Sequence, residues 1–419
     1  MSHPNILHNR WWVVVASALA LIVGQGAINV FAAGVFLKPV AQELGFGRGE
    51  ISTAIALSNI MVAIATPFFG RLIDRKGVRA PLLISIILFA LATAAMSLLQ
   101  ASTAILLLLY GVAGLASVGQ NPTAYSKVVS SWFDRERGLA LGLTLAGVGL
   151  GTALIPQLSN FLIREFGWRD GYIGLGVAIV VLAFIPTWLF LREPSAGKAE
   201  DSALGGPLPG MDFAEAVRTW RYWAMAFAFF IIATTVNGSL VHIVPLLTDR
   251  GIPVSDAVSM ISAAGLALIV GRVIAGYIID RVFAPYVAVF FLLGPLTGLA
   301  ILGTGTEAVS PVIGTILLGL GIGAEIDLMS FIVTRYFGIR AFGTLHGLMF
   351  SLVVLGNAAG ASALGWSFQL LHSYGPAFAG FGVLLVIACV LFCLLGPYRY
   401  PARGSHDAES VAIREASAA

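Results

Sequence analysis

Long blocks of apolar residues, separated by short polar breaks, run along the whole of this chain. Each block is about 20 residues long or longer, which is enough for one α-helix to cross the hydrocarbon core of a bilayer. A helix also pairs its own backbone groups, as lipid requires. The blocks lie near residues 11–40, 51–73, 80–99, 104–132, 138–163, 171–191, 220–248, 254–280, 285–304, 309–335, 341–371 and 376–396. We therefore predict an all-α integral membrane protein with twelve transmembrane helices.

The composition excludes a soluble globular protein, because only 11% of the 419 residues are charged, against about 25% in soluble domains. The first block is longer than the roughly 7–15-residue apolar core of a signal peptide, so it is predicted to be the first span. The two cysteines, Cys389 and Cys393, lie in the last block and indicate packing rather than a disulfide framework or a metal site. We expect no cofactor, no metal and no nucleic-acid partner.

Positive charge is distributed unevenly between the two sides of the predicted membrane. If the amino terminus is cytoplasmic, seventeen of the 24 lysines and arginines fall in cytoplasmic segments and five on the opposite side. Cytoplasmic loops carry such an excess in membrane proteins. The pattern predicts a multi-pass protein of the cell inner (plasma) membrane with both termini in the cytoplasm.

The one long polar connection divides the chain into two halves of six helices. Its Pro, Gly, Ser and charged residues predict a cytoplasmic linker at 193–219 between an N-terminal half at 1–192 and a C-terminal half at 220–396. A cytoplasmic tail is predicted at 397–419. Within the linker, Asp212 is expected to cap a short interfacial helix that extends to Val217.

A charged turn repeats between the two halves. The sequence GRLIDR at Gly70–Arg75 recurs as GYIIDR at Gly276–Arg281, an offset of 206 residues. Parallel six-helix repeats with a binding site between them at the membrane midplane are one architecture of secondary transporters. The repeat therefore predicts two pseudo-symmetric halves.

The stretch Gly70–Arg79, GRLIDRKGVR, resembles the signature loop of the major facilitator superfamily. In that family, the acid and the base of this loop link neighbouring helices and help to time alternating access. The resemblance implies a major facilitator fold. It assigns gating roles to Asp74 and Arg75, and to Asp280 and Arg281 in the second half.

The stretch Trp132–Gly151, WFDRERGLALGLTLAGVGLG, resembles the helix 4–5 motif of the monocarboxylate transporters, and the oxalate/formate exchanger branch has a similar stretch. The chain departs from the animal transporters at Asn9–Trp12, where they carry an acidic-Gly-Gly-aromatic pattern. It also has Leu268 where they place an aspartate one turn before the arginine of helix 8. The proton-coupling residue therefore does not follow from the motif.

Arg272 lies in the apolar helix 8, eight residues before Asp280, which is roughly 12 Å from the helix end at 1.5 Å per residue. Inserting an arginine there costs at least ~2.5–3.5 kcal/mol, so its side chain is expected to face a cavity or a partner. Guanidinium matches a carboxylate with two parallel hydrogen bonds. We predict that Arg272 binds a carboxylate substrate, as the helix 8 arginine does in the family that this chain resembles. A permanent structural ion pair is the alternative.

Glu325 and Asp327 lie two residues apart in the middle of helix 10, so they point about 200° apart and at most one easily faces a cavity. One is a candidate counter-ion of Arg272. The other is expected to pair with a neighbouring helix or to be protonated, because burial disfavours the charged form. If the acid takes up a proton when the anion binds, anion and proton travel together electroneutrally. Both acids are therefore predicted proton-coupling residues.

His242, about two turns from the end of helix 7, is the one histidine well inside a predicted span. Histidine titrates near neutral pH, so His242 is a candidate for relaying a proton or for binding the substrate. A hydrogen-bonded packing role is the alternative.

Two pairs of polar residues lie in the middle of spans with helical i, i+4 spacing, namely Asn121 with Tyr125 and Gln25 with Asn29. Such residues either join helices or line a cavity. Helices 1, 4, 7 and 10 line the cavity in the superfamily that the chain resembles. We therefore predict that these four side chains contact the substrate.

We predict a secondary active transporter that moves a small monocarboxylate such as lactate or pyruvate with a proton by alternating access, most simply as a monomer. An anion exchanger of the oxalate/formate type and a drug/proton antiporter are the alternatives. The lack of His or Asp clusters with metal-ligand spacing argues against a membrane enzyme.

Overall fold

The computed structural model describes residues 9–133, 137–193, 210–279, 281–304, 311–338 and 340–400, without the side chains of residues 74, 130, 137 and 138. Within these residues the chain forms twelve long helices, which confirms the predicted fold class. They are α1 (Trp11–Leu44), α2 (Arg48–Lys76), α3 (Arg79–Ala95), α4 (103–132), α5 (137–166), α6 (168–190), α7 (Trp220–Asp249), α8 (Val254–Ile279), α9 (Ala284–Thr304), α10 (Pro311–Phe337), α11 (Phe342–Leu371) and α12 (Gly375–Leu394).

Gly167 separates α5 from α6. Eleven helical stretches in the described residues are long and apolar enough to cross a membrane, and one of them runs for 52 residues. Inside that stretch Gly167 has φ +83° and ψ 166°, a positive-φ conformation that essentially only glycine adopts and that breaks the helix. Glycine adopts such angles without a Cβ clash. The long stretch therefore crosses the membrane twice, which gives twelve spans.

Besides α6, where Val180–Phe184 is π-helical, three helices, α1, α4 and α7, depart from α-helical geometry near their middle. Residues Ala27–Ala32 of α1 and Ala233–Asn237 of α7 are π-helical. In α4, a 3₁₀ turn at Ser117–Gln120 precedes an extended Asn121, and the helix restarts at Pro122. Proline favours such a first helical position, because it has no N–H to satisfy. π-Helical turns occur frequently at functional sites, and these irregular turns surround the centre of the molecule.

The two six-helix halves contact each other along α2–α11, α5–α8 and α1–α7. Small residues allow close approach between backbones in lipid. Gly265 of α8, for example, faces α5 so closely that a Cβ there would come within 2.5 Å of the Ala153 backbone nitrogen. Gly34 of α1 lies against the carbonyl of Val241 in α7. These contacts fix how the halves meet.

We call the side that carries Lys76 and Arg79, predicted to be cytoplasmic, the inner side, and the opposite side the outer side. On the inner side, the end of the predicted linker forms a short helix, Phe213–Ala216. Asp212 stands at its N-cap but makes no capping bond with its side chain, and pairs instead with Arg340 at 3.1 Å. The predicted short helix is thus present, but its expected side-chain cap is not.

The outer side is closed by contacts between the halves. Asp249, at the end of α7, pairs with Lys38 of α1 at 2.6 Å and with Arg48 of α2. The amide N–H of Gly49 donates to Gln369 of α11 at 2.8 Å. We call this group the outer seal. The central part of the molecule therefore lies beneath a polar closure.

Candidate substrate site

A cavity of about 120 Å³ lies between the two halves at the level of the irregular turns. Its walls come from both halves, and most of its surface is apolar. Its polar lining consists of six amide side chains and one carboxyl group, contributed by Gln25, Asn59, Gln120, Asn121, Asn237, Asn357 and Glu325. This is the arrangement expected of a small-molecule site, which is mostly apolar with a few convergent polar groups.

Glu325 is the acidic group among the described residues of this lining. Its residue is 4% exposed, and its Oε2 accepts a hydrogen bond from Asn237 Nδ2 at 2.9 Å. Within the described part of the chain, its Oε1 has no hydrogen-bond partner. The π-helical turn of α7 ends at Asn237 and presents this amide to α10. A buried carboxyl with one free oxygen is suited to exchange a proton or to bind a ligand.

The N-terminal half contributes amides from α1, α2 and α4. Gln25 Nε2 donates to Asn59 Oδ1 at 3.1 Å. Gln120 Oε1 accepts from the hydroxyl of Tyr125 at 3.1 Å. Asn121 Nδ2 donates to its own turn, at the carbonyl of Val118, at 3.3 Å. Amides carry both donors and acceptors, so this wall can match many polar groups of a small molecule.

Arg272 and Asp327 form an ion pair at the inner edge of the cavity, with Arg272 Nε 3.3 Å from Asp327 Oδ2. Arg272 also donates from Nη1 to the carbonyl of Leu145 in α5, at 3.3 Å. The Arg272 side chain is 13% exposed and that of Asp327 is 30% exposed. Leu268, one helical turn before Arg272, lines the cavity itself. The Cα atom of Arg272 therefore lies about 6 Å, or one turn, further along α8 than that of Leu268.

The structure separates the four predicted polar contacts into two groups. Gln25 and Asn121 line the cavity. Tyr125 is fully buried behind the wall, and Asn29 is buried against Ser58 and Ser117, at 3.3 Å from each. Residues with i, i+4 spacing share a face only in a regular helix, but Asn121 is extended and Asn29 lies in a π-helical turn. The members of each pair therefore occupy different environments.

His242 lies in the outer part of the interface, away from the described cavity lining. Its Nε2 is 3.2 Å from the hydroxyl of Ser52 and 3.0 Å from the carbonyl of Ala361, and its Nδ1 is 3.4 Å from the hydroxyl of Tyr374. Tyr374 in turn accepts a bond from Arg48 at 2.9 Å. His242 thus joins α7, α2 and α11 beneath the outer seal, and its role in proton coupling stays a prediction.

The predicted gating residues lie on the inner side. Arg75 is exposed at the end of α2. Arg281 donates to the carbonyl of Tyr277 at 2.7 Å and stacks on the ring of the same residue. The side chain of Asp74 and all of Asp280 lie outside the described residues, so the gating assignment stays a prediction.

Four of the amides that line the cavity were not among the sequence predictions. They are Asn59, Gln120, Asn237 and Asn357, each an amide side chain within a predicted span. The signal that could have identified them is the amide group itself, because a strongly polar side chain in a membrane span either joins helices or faces a cavity. The sequence prediction considered only pairs of polar residues with i, i+4 spacing and therefore missed these four.

The fold and the cavity define a class of protein, membrane transporters made of two six-helix halves around a central polar site. The family model for the Major Facilitator Superfamily matches residues 17–361, and the chain belongs to this family of transporters.

Among similar proteins, monocarboxylate transporter 13 of Bos taurus is 27% identical over 403 residues, which cover 93% of this chain and 92% of that protein. Monocarboxylate transporter 11 of Mus musculus is 26% identical and covers 93% and 86%. The oxalate:formate antiporter of Oxalobacter formigenes is 30% identical over 234 residues, covering 54% and 53%. The predicted resemblance to monocarboxylate transporters is therefore confirmed.

Among solved structures, a bacterial homolog of the human lysosomal transporter Spinster, in an inward-facing and occupied conformation, superposes with a TM-score of 0.70. It is 17% identical, and the match covers 94% of this chain and 97% of that one. This likeness confirms the fold.

Proposed function

We propose that this transporter carries a small monocarboxylate anion of the lactate or pyruvate type together with a proton, by alternating access. The observation that supports the proposal is the ion pair of Arg272 and Asp327, held one turn from an amide-lined cavity. Guanidinium is the side chain best matched to a planar carboxylate. The similarity to monocarboxylate transporters over 93% of the chain points to the same substrate class.

Charge balance supports proton coupling. Arg272 and Asp327 together are neutral, so a carboxylate that binds to the guanidinium adds one negative charge in a poorly solvated region. If Asp327 or Glu325 takes up one proton at the same time, the site regains its original charge. Anion and proton then cross the membrane as a neutral pair, and release of one favours release of the other.

Anion exchange of the oxalate/formate type is the second candidate, favoured by the similarity to the oxalate:formate antiporter. A dicarboxylate carries two negative charges and calls for a second buried cation. The sequence of α11 offers no lysine or arginine after Arg340. This absence favours the monocarboxylate. The proposal also places the protein in the plasma membrane, with both termini in the cytoplasm and the monomer as the working unit.

Uptake of labelled lactate, pyruvate and oxalate into proteoliposomes, with and without an inward proton gradient, tests the proposal. We expect lactate and pyruvate to accumulate when the gradient is imposed, and Arg272→Ala to abolish uptake. Arg272→Lys should retain only a fraction of it, because a lysine cannot form the bidentate bond. Arg164→Ala is the matched control, since the Arg164 side chain is 71% exposed and pairs with the adjacent Glu165. Normal uptake by Arg272→Ala would refute the assignment.

Symport and exchange are separated by a pH-sensitive dye inside the vesicles. Lactate entry with a proton acidifies the lumen of empty vesicles. Uptake that leaves the internal pH unchanged and needs a preloaded anion would instead establish exchange.

A further inference from the structure

Three buried polar atoms without hydrogen-bond partners belong to residues that line the same cavity. They are Gln120 Nε2, Glu325 Oε1 and Asn357 Oδ1, out of eight such side-chain atoms in the described part of the chain. Leaving a buried donor or acceptor unpaired costs free energy, and each such group in a native protein needs an explanation. Their convergence on one cavity from α4, α10 and α11 indicates that the contents of the cavity, water or a bound ligand that displaces it, supply the missing partners.

In two of these groups, a hydrogen bond from a neighbouring side chain determines which atom remains without a hydrogen-bond partner. Tyr125 donates to Gln120 Oε1, so the amide Nε2 remains as a donor. Asn237 donates to Glu325 Oε2, so Oε1 remains as an acceptor. Gln120 is 1% exposed and Glu325 is 4% exposed, which places both groups in the wall rather than in bulk water. The cavity therefore offers a donor on its N-terminal wall and an acceptor on its C-terminal wall.

The position of Arg272 relative to this cavity restricts the size and shape of the ligand. The Cα atom of Arg272 lies about one helical turn, roughly 6 Å, beyond that of the cavity-lining Leu268, and helical side chains lean toward the helix N-terminus, here toward Leu268. A three-carbon acid whose carboxylate contacts Arg272 places the substituent on its second carbon toward the cavity. The volume of about 120 Å³ is several times the ~10–15 Å³ needed to hold one water, so a small substituent and its carbon fit.

We infer that the cavity is a specificity subsite that recognises a hydroxyl group on the carbon next to the carboxylate, through Gln120 and Glu325, with Asn357 as a third contact. This inference rests on the proposed function, which supplies the carboxylate at Arg272. A hydroxyl accepts from Gln120 and donates to Glu325 at once. An oxo group only accepts, and a hydrogen atom leaves both protein groups unpaired. The subsite thus ranks 2-hydroxy acids above 2-oxo acids, and both above unsubstituted acids.

Acids that differ only at the second carbon test this ranking, with each measured by its ability to compete with labelled lactate in proteoliposomes. We expect lactate to bind roughly tenfold more tightly than propionate, with pyruvate between them, since an unmatched buried group is penalised. Gln120→Leu and Asn357→Leu should each reduce the lactate-to-propionate ratio severalfold, because propionate has no hydroxyl group for them to recognise. Gln100→Leu, at an exposed site between α3 and α4, is the matched control.

The ratio is measured within each variant, so a poorly folded fraction does not alter it. Equal affinity for lactate and propionate, with uptake still abolished by Arg272→Ala, would overturn the subsite and leave the proposed function intact. Carboxylate transport that is absent, or independent of Arg272, would overturn the proposed function itself. Alanine, with an ammonium group at the same carbon, is expected to compete poorly. Tighter binding of alanine than of lactate would show a cation site at Glu325 and overturn the hydroxyl assignment.

Discussion

Replacing Asp249 by asparagine should open the outer side of the transporter. Asp249 Oδ1 is 2.9 Å from Arg48 Nη2 and 2.6 Å from Lys38 Nζ, so one carboxylate of the C-terminal half holds two cations of the N-terminal half. Asp249→Asn keeps the shape of the side chain but removes the charge. The two cations of the N-terminal half then lose the negative charge that holds them against the C-terminal half.

The expected size of this effect follows from how far the three side chains are buried. The side chains of Arg48, Lys38 and Asp249 are 15%, 24% and 26% exposed, so the cluster lies between an exposed ion pair and a buried one. An exposed pair contributes about 0.2–1 kcal/mol, and a hydrogen bond to a charged group contributes about 1.5–3 kcal/mol. We therefore expect Asp249→Asn to lower the free energy that favours the closed outer side by about 2–3 kcal/mol. At about 1.4 kcal/mol per factor of ten, the equilibrium shifts roughly 30- to 150-fold toward the open state.

Cysteine labelling measures this shift. Ser52 is fully buried beneath the outer seal and contacts His242, so a cysteine there reacts with a membrane-impermeant maleimide only when the outer side opens. Ser52→Cys is introduced after Cys389 and Cys393 have been replaced by alanine. The reagent is applied separately to right-side-out and inverted vesicles. We expect Asp249→Asn to raise the labelling rate from the outer side by the factor given above.

Glu165→Gln is the matched control. Glu165 also pairs with an arginine on the outer side, Arg164 at 2.8 Å, but both residues belong to α5 and the pair does not join the halves. It should leave the labelling rate unchanged. Equal rates for Asp249→Asn and Glu165→Gln would show that the seal does not depend on this carboxylate, and would refute the reasoning.

Three further predictions follow from the described geometry. Glu325→Gln tests which of the two acids takes up the proton: it should lose gradient-driven lactate accumulation in proteoliposomes and retain lactate–lactate exchange if Glu325 is the proton carrier, and gradient-driven accumulation that persists assigns the proton to Asp327. Gly167→Ala should lower the free energy of unfolding by about 1–2 kcal/mol in denaturant titrations in detergent, because φ is +83° there, whereas Gly142→Ala, with open space around it, should not destabilise. Gly265→Val places side-chain atoms against the backbone of α5, so it should raise labelling of Ser52→Cys from the outer side.

The sequence predicts the helices well, since lipid leaves the backbone few alternatives. The eighth block, predicted at 254–280, forms a helix at Val254–Ile279, and the second, predicted at 51–73, extends to Arg48–Lys76 because its polar ends continue the helix. The irregular turns of α1, α4 and α7 were not predicted. Hydropathy reports burial in lipid, and a π-helical or 3₁₀ turn does not change the apolar character of the residues around it.

The candidate site was predicted in part. A counter-ion for Arg272 on α10 was expected from the cost of an unpaired charge in lipid, and the structure assigns that place to Asp327. The amides that line the cavity were mostly missed. Asn59 and Asn357 lie on α2 and α11, and only the packing of these helices across the interface shows that they meet at one cavity.

The cavity and the outer seal share helices, and α1 and α7 show how this links them mechanically. In α1, Gln25 lines the cavity and Lys38 belongs to the seal, with the π-helical turn Ala27–Ala32 between them. In α7, Asn237 ends a π-helical turn and Asp249 forms the seal twelve residues further on, about 18 Å along the helix. A π-helical turn contains one extra residue. When such a turn shifts along the helix, the far end of the helix moves while most backbone hydrogen bonds remain. In the proposed cycle, a ligand that pulls Gln25 and Asn237 inward therefore acts on Lys38 and Asp249 through two helices at once. Thermodynamic linkage makes this coupling reciprocal. If the ligand stabilises the closed seal by a given free energy, the closed seal stabilises the bound ligand by the same free energy.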